Sequence, residues 1–175
     1  MTERTKEFEA IALPHLNSAF NLARWLVRDD HDAQDIVQEA YLRGFRYFDS
    51  FQGDDARPWL LGIVRNTCFT WLRARGQAPE IVEFDDDRDS VDTDAPSGDP
   101  ETLLIRKQEV GRINGALECL TTVFREAIVL RELEGLSYTE IAAVTDVPIG
   151  TVMSRLARAR TLLRAALCEK DQGAS

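Results

Sequence analysis

Cysteine and histidine are scarce in this sequence. Cys68, Cys119 and Cys168, with His15 and His31, are all that 175 residues contain. The cysteines are widely spaced and odd in number, so they make neither a CxxC pair nor a disulfide framework. Apolar neighbours mark each as a small buried core residue. Neither histidine has a Cys or a second His at ligand spacing, so no metal site is expected. A Gly-rich phosphate loop, a GxSxG elbow and an HExxH helix are all missing. No nucleophile stands with a base, and the expectation is a protein without catalytic residues or a cofactor. No apolar run approaches the roughly 20 residues that span a membrane. The first residues, Met1-Thr2-Glu3-Arg4-Thr5-Lys6-Glu7, are polar and lack the apolar core of a signal peptide. These absences point to a cytoplasmic protein with no membrane insertion.

What is present is charge, unevenly placed. Lys and Arg number 21 against 30 Asp and Glu, a net charge of -9. Hydrophobic residues make up 44% and charged residues 29%, which suits a folded globular protein and excludes full disorder. An acidic average argues against nucleic acid, because phosphates are bound by Lys and Arg. The distribution removes that argument. Residues 1–76 hold 10 basic and 11 acidic residues, and residues 101–175 hold 10 of each. Residues 77–100 hold Arg88 alone against nine acids, together with Pro79, Pro96, Pro100 and Gly98. That middle segment reads as a flexible, charge-extended linker. The flanks, 1–76 and 101–170, read as two separate small helical domains of an all-α protein.

Helical periodicity runs through both flanks. Phe8, Ile11, Ala12, Leu16, Ala19, Leu22, Ala23 and Leu26 recur at three- and four-residue steps. They predict one amphipathic helix, which Pro14 either kinks or opens. A second helix is expected from about Asp32, with Ala33, Ile36, Val37, Ala40, Tyr41, Phe45 and Phe48 on its apolar side. A third starts at Asp55 or Ala56, with Pro58 in its first turn, where Pro is tolerated. In the second flank, helices are expected over 101–117, from Thr121 or Thr122 to about Leu133, over Tyr138 to about Val144, and from Pro148 to about Leu167. Gly135 suits a helix stop. Ser137 and Glu140 have capping-box spacing.

Two stretches carry functional information. From Val147 to Cys168 there is no acid, while Arg155, Arg158, Arg160 and Arg164 give +4. A short helix, a tight turn and this longer helix make helix-turn-helix geometry. Gly150, Ser154, Ala157, Arg158 and Thr161 share the side opposite its apolar stripe, with Arg155 and Thr151 beside them. A face of small residues edged by Arg suits a major groove; a solvated basic face is the alternative. From Ala56 to Pro79 there is again no acid, and Arg57, Arg65, Arg73 and Arg75 are interleaved with Trp59, Phe69 and Trp71. Cations for phosphates and aromatic faces for unpaired bases suit single-stranded nucleic acid. The two tryptophans also suit core positions at helical spacing, which leaves Arg57 as the better surface candidate.

The segments Leu130–Ala143 and Val147–Arg160 closely resemble region four of bacterial RNA polymerase sigma factors, most of all the extracytoplasmic-function group. Asp32-Ala-Gln-Asp-Ile-Val-Gln-Glu-Ala-Tyr41 resembles region two, as does Phe51-Gln-Gly-Asp with Trp59-Leu60 and Asn66-Thr67. The resemblance implies a promoter-specificity subunit that performs no covalent step. Asp32, Asp35, Gln38 and Glu39 then match the helix that docks on the coiled coil of the largest subunit of core RNA polymerase, with the flap as a second polymerase contact. Phe51, Gly53, Asp54, Arg57 and Asn66 match the part that captures flipped minus-ten bases, and Arg65, Arg73 and Arg75 would hold the backbone. Gly150, Thr151, Ser154, Arg155 and Arg158 match the reader of minus-thirty-five DNA. The resemblance also implies an anti-sigma factor as regulator. Met153 stands where many members have Arg, Thr121 where a Pro often follows the Leu, and the loop from Phe51 to Trp59 is one residue shorter than in some members.

Readings from other classes are a free-standing helix-turn-helix regulator acting without polymerase and a sigma-mimicking protein that titrates an anti-sigma factor. The first predicts indifference to Asp35→Ala or Glu39→Ala. The second predicts eroded basic faces, and here they are intact. The acidic linker, with Asp85, Asp86, Asp87 and Asp89, is expected to lower DNA affinity of the free chain by repelling phosphates.

Overall fold

The computed structural model describes residues 1–77, 79 and 111–173. The acidic segment and the predicted helix start at 101–110 lie outside the described residues. Among the described residues every regular element is helical.

The first half is a four-helix unit: α1 (Glu3–Ala12), α2 (Leu16–Val27), α3 (Asp30–Arg46) and α4 (Ala56–Ala74). The single long helix expected over Phe8–Leu26 is in fact two. Pro14 has no N–H to donate, and Leu13–His15 tightens into a 3-10 turn between α1 and α2. The break redirects Leu16 to the surface, 42% exposed, although it shares the apolar period. Asp29 caps α3 by accepting from Asp32 N at 2.9 Å. Asp55 caps α4 by accepting from Arg57 N at 3.0 Å, with Pro58 in the first turn as expected. Phe8 packs edge-on against Tyr41, Phe45 and Phe48. The Tyr41 hydroxyl donates to Ala12 O at 2.7 Å. Arg4 donates to Phe45 O at 2.7 Å and pins α1 on the far end of α3.

The second half holds a helix over 111–119 (α5), then α6 (Thr122–Ile128), which continues into a π-helical turn at Val129–Leu133. Then come α7 (Tyr138–Thr145) and α8 (Ile149–Gly173). The last helix extends beyond the predicted stop near Leu167. Thr121 stands extended at the start of α6, but its side chain makes no cap bond. Ser137 and Glu140 form the full capping box, at 3.1 and 3.0 Å. Gly135, at φ +69°, allows the chain to leave the π turn. Asp146, also left-handed at φ 55°, makes the turn between α7 and α8.

The two helical domains read from the sequence are both present, and they pack on one another. One apolar cluster includes Leu22 and Leu26 of α2, Val64 and Leu72 of α4, Phe124 and Ile128 of α6, Val144 of α7 and Leu156 of α8. Helix α6 is buried along its whole length from Val123 to Ile128, the mark of a central helix. Gly62 brings α4 close to α7: a Cβ there would lie 3.7 Å from Val144 O.

Candidate nucleic-acid interface

Four places in this fold hold the residues singled out above. On α3, Asp35, Gln38 and Glu39 are exposed and Asp32 is half-buried. The opposite face, Ala33, Ile36, Val37 and Ala40, is buried, so the polar face points outward for a reason of packing. Arg43 donates to Glu39 at 2.6 Å one turn on.

The loop after α3 makes one wall of a cleft of about 570 Å3. Phe51 is half-buried against Trp59, ring centroids 4.9 Å apart. Gln52, Gly53, Asp54 and Asp55 are exposed, and Gly53 at φ +145° shapes the bend. Pro58, Gly62, Ile63 and Asn66 of α4 form the floor. The wall facing them comes from the other half of the chain: Ala143, Val144 and Asp146, at the end of α7.

The arginines of α4 divide into two kinds. Arg73 and Arg75 are exposed, and Arg75 stacks on Trp71 with its guanidinium carbon 4.0 Å from the ring centre. Arg57 and Arg65 are turned toward the second half. Arg57 Nη2 donates to Glu134 Oε2 at 3.0 Å and to the Glu134 main-chain oxygen. Arg65 Nε donates to Glu126 Oε2 at 3.0 Å, and its guanidinium covers the Phe69 ring at 3.8 Å. Glu126 is fully buried, and its Oε1 has no protein partner. Burial pushes its carboxyl above the ordinary range, opposed by Arg65 and by the charge of Arg155.

On α8, Gly150 and Arg158 are exposed, while Thr151 and Ser154 are half-buried. Ser154 donates to Gly150 O at 3.0 Å. Arg155 is half-buried, close enough to Glu126 and Arg65 for both charges to act on it, and burial depresses its guanidinium. It is thus turned inward from the exposed side that Gly150 and Arg158 share. Arg160 donates to Glu132 at 2.9 Å. Met153, in the place where many members have Arg, is 47% exposed.

The cysteines correct the sequence reading: Cys68 is buried, whereas Cys119 and Cys168 are exposed. Among the described residues no cluster of three or more His, Cys, Asp and Glu is placed to hold a metal ion. Glu126, Glu134 and Arg125 carry the contacts that sequence reasoning missed. The one available signal was the run Val123-Phe124-Arg125-Glu126-Ala127-Ile128, where two charges sit inside an otherwise apolar helix.

Comparison with known proteins interprets these surfaces. Residues 12–78 match the family description "Sigma-70 region 2", and residues 111–163 match "Sigma-70, region 4". The chain belongs to the extracytoplasmic-function group of the sigma-70 family. The RNA polymerase sigma-H factor of Pseudomonas aeruginosa is 34% identical over 171 residues, 93% of this chain and 86% of that one. The ECF RNA polymerase sigma-E factor of Escherichia coli K12 is 40% identical over 134 residues, 74% of this chain and 70% of that one. In fold, this sigma factor resembles the sigma factor RpoE crystallised with the anti-sigma factor NepR from Bartonella quintana. The TM-score is 0.68 at 28% identity, over 93% of this chain and 97% of that one. It also resembles CnrH in complex with the cytosolic domain of CnrY, with a TM-score of 0.66 at 25% identity over 94% and 90% of the two chains. In this sigma factor the region-two match spans α2–α4, and the region-four match spans α5–α7 and the first part of α8.

Proposed function

We propose that this chain binds core RNA polymerase and directs it to promoters, acting as a subunit that performs no covalent step. The observation that carries the reading is the presence of both family regions, in order, across most of the chain. The exposed acidic face of α3, with Asp32, Asp35, Gln38 and Glu39, docks on the polymerase. The cleft at Phe51, Gly53, Asp54, Arg57 and Asn66 takes an unpaired minus-ten base, which costs a few kcal/mol of unstacking to extrude. Arg65, Arg73 and Arg75 neutralise the adjoining phosphates. Gly150, Thr151, Ser154, Arg155 and Arg158 of α8 enter the major groove upstream. The site of action is the cytoplasm, where polymerase works, and among the described residues no helix is long and apolar enough to cross a membrane. Two solved relatives are complexed with an anti-sigma factor or with CnrY, which supports a protein regulator here also.

The test is reconstitution with bacterial core polymerase on a panel of promoter fragments. The expected result is a promoter-dependent transcript that Asp35→Ala reduces at least tenfold by weakening polymerase binding. Failure to bind polymerase and to yield any promoter-dependent transcript overturns the reading. Unchanged DNA binding and regulation in Asp35→Ala would favour a regulator that works without polymerase.

A further inference from the structure

Helix α1 is docked where α3 ends and the loop carrying Phe51 begins. Arg4 Nη2 donates to Phe45 O at 2.7 Å, and its Nε donates to Asp49 Oδ1 at 3.1 Å. The same guanidinium lies over the Phe45 ring, its carbon 4.4 Å from the ring centre. Asp49 stands two residues ahead of Phe51, whose ring lines the cleft described above. We infer that α1 sets the position of the base-capturing loop, with Arg4 as the positioning residue that couples this loop to the end of α3. That role rests on the reading of the cleft as the minus-ten site.

The start of the loop moves as one piece. Phe48–Ser50 is a 3-10 turn, closed by Ser50 N donating to Tyr47 O and Phe51 N donating to Phe48 O, both at 3.0 Å. The Ser50 hydroxyl adds a bond to Tyr47 O at 2.6 Å. A restraint on Asp49 is therefore a restraint on Phe51. On the α1 side, Phe8 packs edge-on against Phe45 and Phe48, with ring centroids 5.4 and 5.5 Å away. On the α4 side, Phe51 rests on Trp59. Behind the loop, Phe8, Ala12, Ala56 and Leu60 form a small apolar core of their own, distinct from the cluster shared with region four.

Arg4 is suited to positioning more than to stability. Its bond to Phe45 O satisfies one of the last carbonyls of α3 and places a cation at the negative end of that helix. Its ion pair with Asp49 is open to water, the two side chains 36% and 79% exposed, so the pair returns little to stability. What it fixes is where the loop stands. A binding site has to be held within about 0.5 Å of its productive geometry. Without Arg4, the Phe48–Ser50 turn is free to swing about the end of α3 and to carry Phe51 away from Trp59 and Asn66. The captured base then loses the contacts that tell it from other bases, while the outward face of α3 and the reading face of α8 are unaffected.

The test uses the full chain with bacterial core polymerase, on the promoter fragment that gives the strongest transcript, with each minus-ten base replaced in turn. Promoter opening is read from the fluorescence of 2-aminopurine placed in the minus-ten strand. Discrimination is the ratio of opening on the unaltered element to opening on its weakest single-base variant. Arg4→Ala should lower this ratio at least fivefold, with affinity for core polymerase and for a minus-thirty-five duplex within twofold of native. Asp49→Ala, at an exposed position, should lower it severalfold with helix content unchanged. The double variant should lose no more than Arg4→Ala alone, because the two side chains act through one contact. Should Arg4→Ala lose helix content, Asp49→Ala decides by itself. Native discrimination in Asp49→Ala overturns the positioning role, as does an Arg4→Ala loss that extends equally to polymerase and minus-thirty-five binding. A native chain that opens the promoter without regard to any minus-ten base overturns the reading of the cleft, and the positioning role with it; native discrimination that both variants retain overturns the positioning role alone.

Discussion

Arg125 Nε lies 2.6 Å from the carbonyl oxygen of Trp25, a hydrogen bond between residues 100 apart in sequence. The same guanidinium donates through Nη1 to Leu120 O at 2.8 Å. Burial depresses this arginine to about 10, still well above neutrality, so it remains charged. Its two acceptors are carbonyls near chain turns, where no helical N–H is available to them.

Arg125→Ala should therefore destabilise the chain by about 2–4 kcal/mol, since it leaves two inward carbonyls unsatisfied and removes buried volume. Arg125→Lys should recover little, because an ammonium cannot reproduce the planar fork. Urea denaturation of the three proteins measures both. A loss under about 0.5 kcal/mol for the alanine variant would show the pair to be incidental.

Glu126 predicts a pH dependence with a definite sign. Its carboxyl lies above the ordinary value of 4.5 in the folded chain, chiefly through burial. Between those two values the folded chain binds more protons than the unfolded chain. The stability this group contributes is fully present below 4.5 and is lost as pH rises through the higher value. The charged groups acting on it are Arg65 of α4 and Arg155 of α8. Stability of Glu126→Gln minus that of the native chain should therefore grow from pH 5 to pH 8, by no more than about 1.4 kcal/mol per pH unit. A flat difference would show that the carboxyl is not buried in solution.

The thiols divide by burial. Cys68 is buried, and desolvation, with the nearby Glu126 charge, pushes it up to about 12. Cys119 and Cys168 are exposed. Brief alkylation at pH 8 should modify these two and spare Cys68 until denaturant is added. Intact mass spectrometry counts the adducts. Rapid labelling of Cys68 in the native chain would contradict the burial of the apolar face of α4.

Asp146 tests the turn between α7 and α8. Its left-handed backbone is tolerated by Asp and strained for a β-branched residue. Asp146→Val should lower stability by about 1–2 kcal/mol, whereas Asp146→Gly should keep or slightly raise it. Urea midpoints decide; equal loss in both variants would mean that the carboxylate, not the backbone, matters.

The parts of the fold that were legible are those with local causes. The Ser137–Glu140 box, the Asp55 cap ahead of Pro58 and the turn at Gly135 are each specified within a few residues. So was the outward polar face of α3, because its apolar partner residues repeat every three or four positions. Pro14 announced an interruption, and its effect on Leu16 followed only from the new direction of α2. The contacts between regions two and four had no such signal. Arg65 meets Glu126 across 61 residues and Arg57 meets Glu134 across 77, with the acidic segment between. Arg57, Arg65 and Arg155 were recognisable as cations of acid-free stretches, but that they face carboxylates of their own chain depends on tertiary packing alone.

The apolar cluster that runs through both regions has a consequence for any process that would part them. Were α6 and α7 drawn away from α2 and α4, residues such as Leu26, Phe69, Phe124 and Val144 would lose cover on one side together. Exposed apolar surface of that kind favours self-association in water. A molecule so parted would be a poor solitary solute, held apart only where another surface covered the bared faces.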